Sequence, residues 1–175
     1  METILSLDQH ELGLFTDEDT EITKRRIAAR AVMKNAEGKI AVMHFSKIGA
    51  YKLPGGGRDD GESMREALDR EMREETGYTL KNVEQLCLVE EYRYVYGMHQ
   101  TSYVYTAESD SFIGTALTDS ERDLGMELVW ADSYEQAIEL IHSSNEVDED
   151  GSQIGLELMK IRETEILKFA RQSEL

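Results

Sequence analysis

The pattern of apolar and polar residues along the chain predicts strands and helices in an irregular order. Apolar runs bounded by turn residues are typical of strands, and apolar side chains at helical spacing recur in three segments. The predicted strands are 26–33, 40–45, 83–96, 101–106 and 128–130; the predicted helices are 63–76, a segment from Asp132 or Ser133 to about 142, and 155–171. Because strands and helices do not alternate regularly, we expect an α+β fold, an α/β/α sandwich with a mixed β-sheet.

The chain divides into three parts on the same evidence. Residues 1–23 are an acidic N-terminal lead, residues 24–144 form one domain, and residues 145–175 add an acidic loop (145–151) and a C-terminal helix packed on that domain. The apolar stripe of the last helix is expected in the core. A homodimer contact through that helix is the alternative.

Composition narrows the classes of partner. Nineteen Lys and Arg against 36 Asp and Glu give a net charge of −17. Such a surface argues against nucleic-acid and membrane binding, but not against a small anionic substrate whose site holds cations. The single cysteine, Cys87, cannot form an internal disulfide, no stretch approaches the ~18 apolar residues of a membrane span, and no targeting segment is visible. We therefore expect a cytoplasmic protein with a small-molecule partner.

The predicted helix at 63–76 changes character along its inward face. Its apolar half consists of Met64, Ala67, Leu68 and Met72. Helical periodicity places Glu71 and Glu75 in the middle of the same stripe and Glu74 at its edge. Three ionised carboxylates there cost several kcal/mol each unless their pKa values rise or a hard cation sits among them. Oxygen ligands at this density suit Mg²⁺ or Mn²⁺ better than zinc.

Two neighbouring features support the metal interpretation. The run Gly55–Gly57 before the helix lets the backbone approach a ligand closely and offers it carbonyl or N–H groups. Arg70 lies four residues before Glu74, so a salt bridge can hold that carboxylate in place. A solvated charged face is the alternative explanation of the helix alone.

These residues resemble the Nudix box. Gly56 is followed after five residues by Glu62 and, after seven more, by the sequence REMREETGY at 70–78. All seven fixed identities of the pattern are present, and a chance match at one start position is on the order of 10⁻⁸ to 10⁻⁹. Tyr78 stands where an aliphatic residue is commoner. The similarity extends over residues 24–144, which implies a Nudix-type α/β/α sandwich.

The resemblance implies a Mg²⁺-dependent hydrolase, with Mn²⁺ as a substitute, that acts on nucleoside diphosphates linked to another group. The metal ligands it implies are Glu71, Glu74, Glu75 and the backbone carbonyl of Gly55. Arg70 would orient a glutamate, and Glu62 would brace the turn between loop and helix.

The resemblance leaves the general base and the phosphate contacts open. The base is a carboxylate of the box, Glu71 or Glu74, or a later one, Glu121 or Glu127. Lys52 and Arg58 flank the glycine run and either contact phosphate or are solvated.

Side motifs bear on the substrate. With Pro54 as the only proline, the proline features of the ADP-ribose and NADH subgroups are absent. Tyr94 and Tyr96 stand where dinucleoside polyphosphate enzymes carry a tyrosine; alternatively, Tyr92, Tyr94 and Tyr96 alternate along one strand and pack on one sheet face. Nucleoside triphosphates and dinucleoside polyphosphates are both expected substrates. A nucleotide-binding or regulatory domain without turnover is the alternative from another class.

Overall fold

The computed structural model describes residues 1–17, 19–144 and 153–174. The predicted acidic loop at 145–151 therefore lies outside the described residues. Within the described part of the chain, no helix combines the length and the apolar character needed to cross a membrane.

Eight strands of the described residues form one mixed sheet. They are β1 Thr3–Asp8, β2 Lys24–Lys34, β3 Ile40–Phe45, β4 Ala50–Lys52, β5 Gly55–Gly57, β6 Tyr78–Arg93, β7 Met98–Phe112 and β8 Met126–Ala131. The order is β1-β6-β7-β2-β3-β4, with β5 paired to β2 and β8 to β3. The β1–β6 and β7–β2 pairs are parallel and the others antiparallel, which confirms the mixed sheet.

The helices begin at capping residues that the sequence makes recognisable. They are α1 Met64–Glu71, continued by a π-helical turn Met72–Thr76, then α2 Asp119–Asp123, α3 Tyr134–His142 and α4 Gln153–Ser173. Ser63 and Glu66 form a reciprocal capping box at α1, and Ser133 caps α3. Gly77 ends the π-helical turn with φ 78°, in the left-handed region that favours glycine.

Both faces of the sheet are covered by helices. On one face, strand residues such as Ala31 pack against Ala67, Leu68 and Met72 of α1 and its π-helical turn. On the other face, α3 and α4 cover the sheet with apolar side chains that include Ile141, Ile166 and Leu167. The predicted α/β/α sandwich and the core position of the last helix are confirmed, since Leu158, Ile166, Leu167 and Ala170 are fully buried.

Two parts of the sequence prediction need correction. Thr3–Asp8, expected in an acidic lead, forms the edge strand β1 alongside β6. The strand predicted over 83–96 starts earlier, at Tyr78, and ends at Arg93, because Tyr94–Tyr96 form a 3₁₀ turn closed by Gly97 at φ 58°. The prediction that Tyr94 and Tyr96 share a sheet face with Tyr92 is therefore wrong.

Candidate active site

The glycine run forms a short strand that only small residues permit. In the β5–β2 pairing, Gly55 lies opposite Arg30, with φ +134°. A Cβ on Gly55 would stand 2.2 Å from the carbonyl oxygen of Ala29. A Cβ on Gly56 would point to the other side, 2.5 Å from a carboxylate oxygen of Glu71. The run therefore brings the sheet backbone and the α1 carboxylate into direct contact.

Arg70 joins the helix carboxylates to the glycine run. Its Nε donates to Glu62 Oε1 at 2.8 Å, and its Nη1 donates to Glu71 Oε1 at 2.9 Å and to Glu74 Oε2 at 3.1 Å. Its Nη2 donates to the Gly57 carbonyl at 2.8 Å. The hydrogen bond to Glu62 contributes most to raising the pKa of the guanidinium above its usual range. One permanent cation thus donates hydrogen bonds to three carboxylates, and a fourth, that of Asp59, lies 3.7 Å from its Nε.

Glu75 is the most deeply placed of the box glutamates. Its side chain is 1% exposed, and its Oε2 accepts a hydrogen bond of 2.6 Å from the Gly55 amide. Lys52 Nζ lies 3.2 Å from Oε1. Burial raises the pKa of Glu75 to about 7, with the charge of Lys52 opposing the shift and that of Glu71 adding to it. The Glu75 carboxyl is therefore partly protonated near neutral pH, and added positive charge would favour its ionised form.

Glu71 is buried, though less completely than Glu75, and Glu74 is only half-buried. Glu71 is 8% exposed, and burial raises its pKa, while Arg70 and Lys52 oppose the shift. Glu74 is half-buried on the π-helical turn. The burial of Glu71 and Glu75 confirms the inward stripe predicted from helical spacing.

The NUDIX domain family model matches residues 24–147, well over half of the chain. The chain belongs to the NUDIX family. A curated relative, "RNA pyrophosphohydrolase" from Erythrobacter litoralis, is 37% identical over 62 residues, a match that covers 34% of this chain and 38% of the relative. The chain thus spans well under half the length of that relative.

Solved structures share the NUDIX fold with this chain. A MutT NUDIX hydrolase from Burkholderia pseudomallei matches with a TM-score of 0.52 and 24% identity, over 65% of this chain and 86% of the other. A NUDIX hydrolase from Nitrosomonas europaea matches with a TM-score of 0.55 and 18% identity, over 80% and 88%. At these identities the likeness establishes the fold.

The donor set of the NUDIX box fits a hard divalent cation. Its side-chain donors, Glu71, Glu74 and Glu75, are all oxygen donors and are at least half-buried. With all four carboxyls ionised, these three and Glu62 would carry four negative charges against the two positive charges of Arg70 and Lys52. Among the residues described, no three Asp, Glu, His or Cys side chains are already grouped around one point. Arg70 stands between Glu71 and Glu74, so a cation would share these carboxylates with it.

The later base candidates make other contacts. Glu121 caps α2, its Oε2 accepting from the Thr118 amide at 2.7 Å and hydroxyl at 2.8 Å. Glu127 lies on β8 with 60% of its side chain exposed, and its Oε1 is 2.9 Å from Nδ1 of His44. The segment before α2 is tied to the box through the Ala116 amide, which donates to the Glu74 carbonyl at 3.0 Å.

Two of the predicted substrate-contact residues lie beside the glycine run, and the other two lie on the 3₁₀ turn after β6. Lys52 is buried against Glu75, and Arg58 is exposed at the end of the glycine run, its amide 2.9 Å from the Ile27 carbonyl. Tyr94 packs on His10 at a centroid distance of 3.8 Å, and the Arg93 guanidinium lies over the Tyr96 ring at 4.6 Å.

Sequence reasoning missed a buried polar network between the sheet and α4. Arg162 of α4 donates to Glu91 at 3.0 Å and to Glu163 at 2.6 Å. Glu91 accepts from Gln100 at 2.7 Å, and Gln100 accepts from Arg26 at 2.9 Å. The Arg26 guanidinium lies beside Gly57, where a Cβ would stand 3.4 Å from it. The signal that indicates such a network is charge inside an apolar pattern, as at 162–163 in the last helix.

Proposed function

We propose that this NUDIX protein is a Mg²⁺-dependent hydrolase that cleaves the pyrophosphate linkage of a nucleoside diphosphate joined to another group. Nucleoside triphosphates and dinucleoside polyphosphates are the substrate types in view. The observation that carries the proposal is the Arg70 contact set, in which one guanidinium holds Glu62, Glu71, Glu74 and the Gly57 carbonyl together. A domain that only binds nucleotides does not need this arrangement of carboxylates.

The residues in and around the box have different roles in the proposed reaction. Glu71, Glu74 and Glu75, with the Gly55 carbonyl, would hold the metal, which when bound neutralises the pyrophosphate and lowers the pKa of a water. Arg70 fixes the orientation of two of these carboxylates, and Lys52 balances part of the charge of the third. Catalysis then depends on positioning and electrostatics rather than on a covalent intermediate.

The contacts of the candidate bases favour Glu71 or Glu74 as the group that accepts the proton of the attacking water. Both belong to the box and share one guanidinium. The carboxylate of Glu121 is engaged in capping α2, and that of Glu127 faces His44. These two remain the alternatives if the box variants retain turnover.

A curated relative and the net charge of the chain bear on the substrate class. The relative named RNA pyrophosphohydrolase supports a pyrophosphate bond as the target and places 5′-triphosphorylated RNA among the compounds to test. A net charge of −17 favours a small nucleotide over a long polyanion.

The test is phosphate and pyrophosphate release from a panel of nucleotides, with Mg²⁺ and with EDTA. The panel holds nucleoside triphosphates, an oxidised guanine nucleotide, dinucleoside polyphosphates, ADP-ribose, nucleotide sugars and a 5′-triphosphorylated RNA. We expect metal-dependent release from at least one class. Nucleotide binding without release from any compound would favour the regulatory alternative.

Two variants connect that activity to the box. Glu74→Gln keeps size and removes charge, and we expect it to lower kcat by at least a hundredfold with an unchanged circular dichroism spectrum. Glu139→Gln makes the same change at an exposed position of α3 and is the matched control. Turnover of Glu74→Gln at the wild-type rate would overturn the assignment of the metal site.

A further inference from the structure

Arg26 of β2 is a half-buried cation that forms no ion pair with any Asp or Glu in the part of the chain that the structure describes. Its Nη1 donates to the neutral side chain of Gln100, at 2.9 Å from Oε1. The sequence holds 36 Asp and Glu against 19 Lys and Arg, so carboxylates are abundant. Because a charge withdrawn from water costs free energy unless an opposite charge compensates it, an arginine placed in this way needs an explanation.

The buried network to which Arg26 belongs has more positive than negative charges. The charged side chains that hydrogen bonds and ion pairs join in it are Arg26, Arg30, Arg162, Glu91 and Glu163, with Gln100 between Arg26 and Glu91. Arg162 contacts both carboxylates, and Arg30 Nη1 lies 3.5 Å from Glu163. Three guanidiniums thus face two carboxylates, and the excess positive charge lies at Arg26, the member that is not fully buried.

The Arg26 guanidinium lies against the glycine run, on the side away from the box glutamates. A Cβ on Gly57 would stand 3.4 Å from Nε and from Nη2 of Arg26, whereas a Cβ on Gly56 would stand 2.5 Å from Glu71. The carbonyl of Gly57 accepts from Arg70 Nη2 at 2.8 Å. Gly57 therefore lies between two guanidiniums, one that binds the box carboxylates and one that binds no carboxylate of the described residues.

The direction of the Arg26 guanidinium is fixed by side chains behind it. Gln100 is fully buried, and its amide nitrogen donates to Glu91 at 2.7 Å and to Ser102 at 3.2 Å. Arg162 of α4 holds Glu91 in turn, at 3.0 Å. Only this orientation of the amide suits both neighbours, because a guanidinium only donates and a carboxylate only accepts. Since Gln100 uses Nη1, the N–H groups on Nε and Nη2 of Arg26 can donate to a ligand.

We propose that Arg26 contacts the phosphate chain of the substrate and that Gln100 and Glu91 are positioning residues, which direct its guanidinium. The proposal rests on the proposed function, since the box holds the pyrophosphate that is cleaved. The planar fork of a guanidinium matches the oxygen atoms of a phosphate and stays charged at any physiological pH. The helix α4 then contributes to the site without touching the substrate, because Arg162 anchors Glu91.

The first test is the kinetics of Arg26→Met, which keeps most of the length of the side chain and removes its charge. We expect KM for the nucleotide that the release assay identifies to rise about tenfold, with kcat changed less than about twofold, because the contact is made in ground state and transition state alike. KM should also depend less on NaCl than in wild type. Arg26→Lys keeps the charge without the fork and should give an intermediate KM. Arg171→Met makes the same change of charge at an exposed position of α4 and is the matched control.

A double-mutant cycle tests the positioning role. Gln100→Met removes the acceptor of Arg26, and we expect it to raise KM about threefold, since Arg26 is then less well directed. The double variant Arg26→Met, Gln100→Met should have the KM of Arg26→Met alone, because Gln100 acts through Arg26. Effects on KM that multiply would overturn the positioning role. If Gln100→Met does not fold, Gln100→Asn withdraws the acceptor by one methylene and serves in the same cycle.

A binding measurement separates this proposal from the proposed function. In the Glu74→Gln background with Mg²⁺ present, Arg26→Met should raise the Kd of ATP and that of inorganic pyrophosphate by the same factor, about tenfold. If wild type hydrolyses no nucleotide but both Kd values rise, the role of Arg26 stands and the proposed function fails. If hydrolysis occurs and KM and Kd change less than about twofold, the role of Arg26 is overturned. A rise for ATP alone would place Arg26 at the base or the ribose and would also overturn it.

Discussion

Gly56 determines where the Glu71 carboxylate can lie. Any side chain at this position would start 2.5 Å from a carboxylate oxygen of Glu71, which is the far end of a flexible side chain. We therefore expect Gly56→Ala to displace Glu71 rather than the backbone. The free energy of unfolding should fall by about 1 kcal/mol, as for a modest packing conflict, whereas kcat should fall at least tenfold. Urea denaturation and steady-state kinetics measure the two effects.

The matched control for Gly56→Ala is Gly57→Ala in the same strand. A Cβ at Gly57 would meet Arg26 at 3.4 Å, an ordinary van der Waals contact, and would point away from Glu71. We expect this variant to keep most of its activity. Equal losses of kcat in both variants would contradict the role given to Gly56, because they would indicate a general sensitivity of the glycine run.

Single side chains show what the sequence can and cannot predict about the site. Helical periodicity is a local property, so it predicted the burial of Glu71 and Glu75 and the contact of Arg70 with Glu74, both of which the structure has. The ion pair of Glu75 with Lys52 joins residues far apart in the chain. That contact depends on how β4 meets the helix, which no local pattern encodes.

The helix α4 is joined to the sheet by charges as well as by apolar packing. Arg162 is 4% exposed and bonds Glu91, which is fully buried on β6. Arg162→Met would remove the cation that pairs with two buried carboxylates, Glu91 and Glu163, so we expect the free energy of unfolding to fall by about 3–5 kcal/mol. The double variant Glu91→Met, Arg162→Met should recover part of that loss, because Glu163 then keeps only Arg30, at 3.5 Å, as an ion-pair partner. Urea denaturation measures both, and additive losses would show that the two residues are not coupled.

The same network makes a prediction about acid stability. Burial raises the pKa of Glu91, but the charges of Arg162, Arg93 and Arg30 outweigh it and leave the pKa below its usual value. A carboxyl whose pKa is lowered in the folded state stabilises the fold above its unfolded pKa and loses that contribution as pH falls through the folded value. We expect the free energy of unfolding to drop below about pH 4.3, the ordinary pKa of Glu.

Chemical denaturation between pH 2.5 and 6 checks this prediction. The variant Glu91→Gln should be less stable than wild type at pH 6, and its stability should depend less on pH in the acid range. Glu139→Gln, at an exposed position of α3, should keep the wild-type profile. Parallel profiles for wild type and Glu91→Gln would mean that other carboxylates control acid unfolding.

The sequence patterns missed those elements whose structure depends on contacts with other parts of the chain. The strand Thr3–Asp8 has only six residues and gains its regular structure by pairing with β6. Alternating tyrosines favoured a strand through Tyr96, yet the chain turns after Arg93 because Gly97 adopts a left-handed conformation. Strands of the central sheet and capped helices were predictable because hydrophobic periodicity and capping residues are recognisable within a short stretch of sequence.

The distribution of charge over the molecule links the box to the stability of the whole fold. With a net charge of −17, the folded chain concentrates negative charge that the unfolded chain spreads over a larger volume. The box adds buried carboxylates that Arg70 and Lys52 only partly balance. A cation that binds at the box therefore reduces two repulsions: the one between the box carboxylates and the one among the negative charges of the whole surface. Only the reduction at the box depends on the identity of the ion.

Mg²⁺ should accordingly stabilise the fold beyond its contribution to ionic strength. At a concentration a hundred times its Kd, a ligand of the folded state adds about 2.7 kcal/mol. For a domain of this size that corresponds to a rise in Tm of about 5–10 °C. NaCl at matched ionic strength should give only the smaller screening effect, and Glu71→Gln, Glu74→Gln should respond equally to both salts. Differential scanning calorimetry measures the rise in Tm with each salt. The same rise with MgCl₂ and with NaCl would contradict the prediction, because it would show that the box carboxylates hold no cation and that the net charge of −17 alone accounts for the stabilisation.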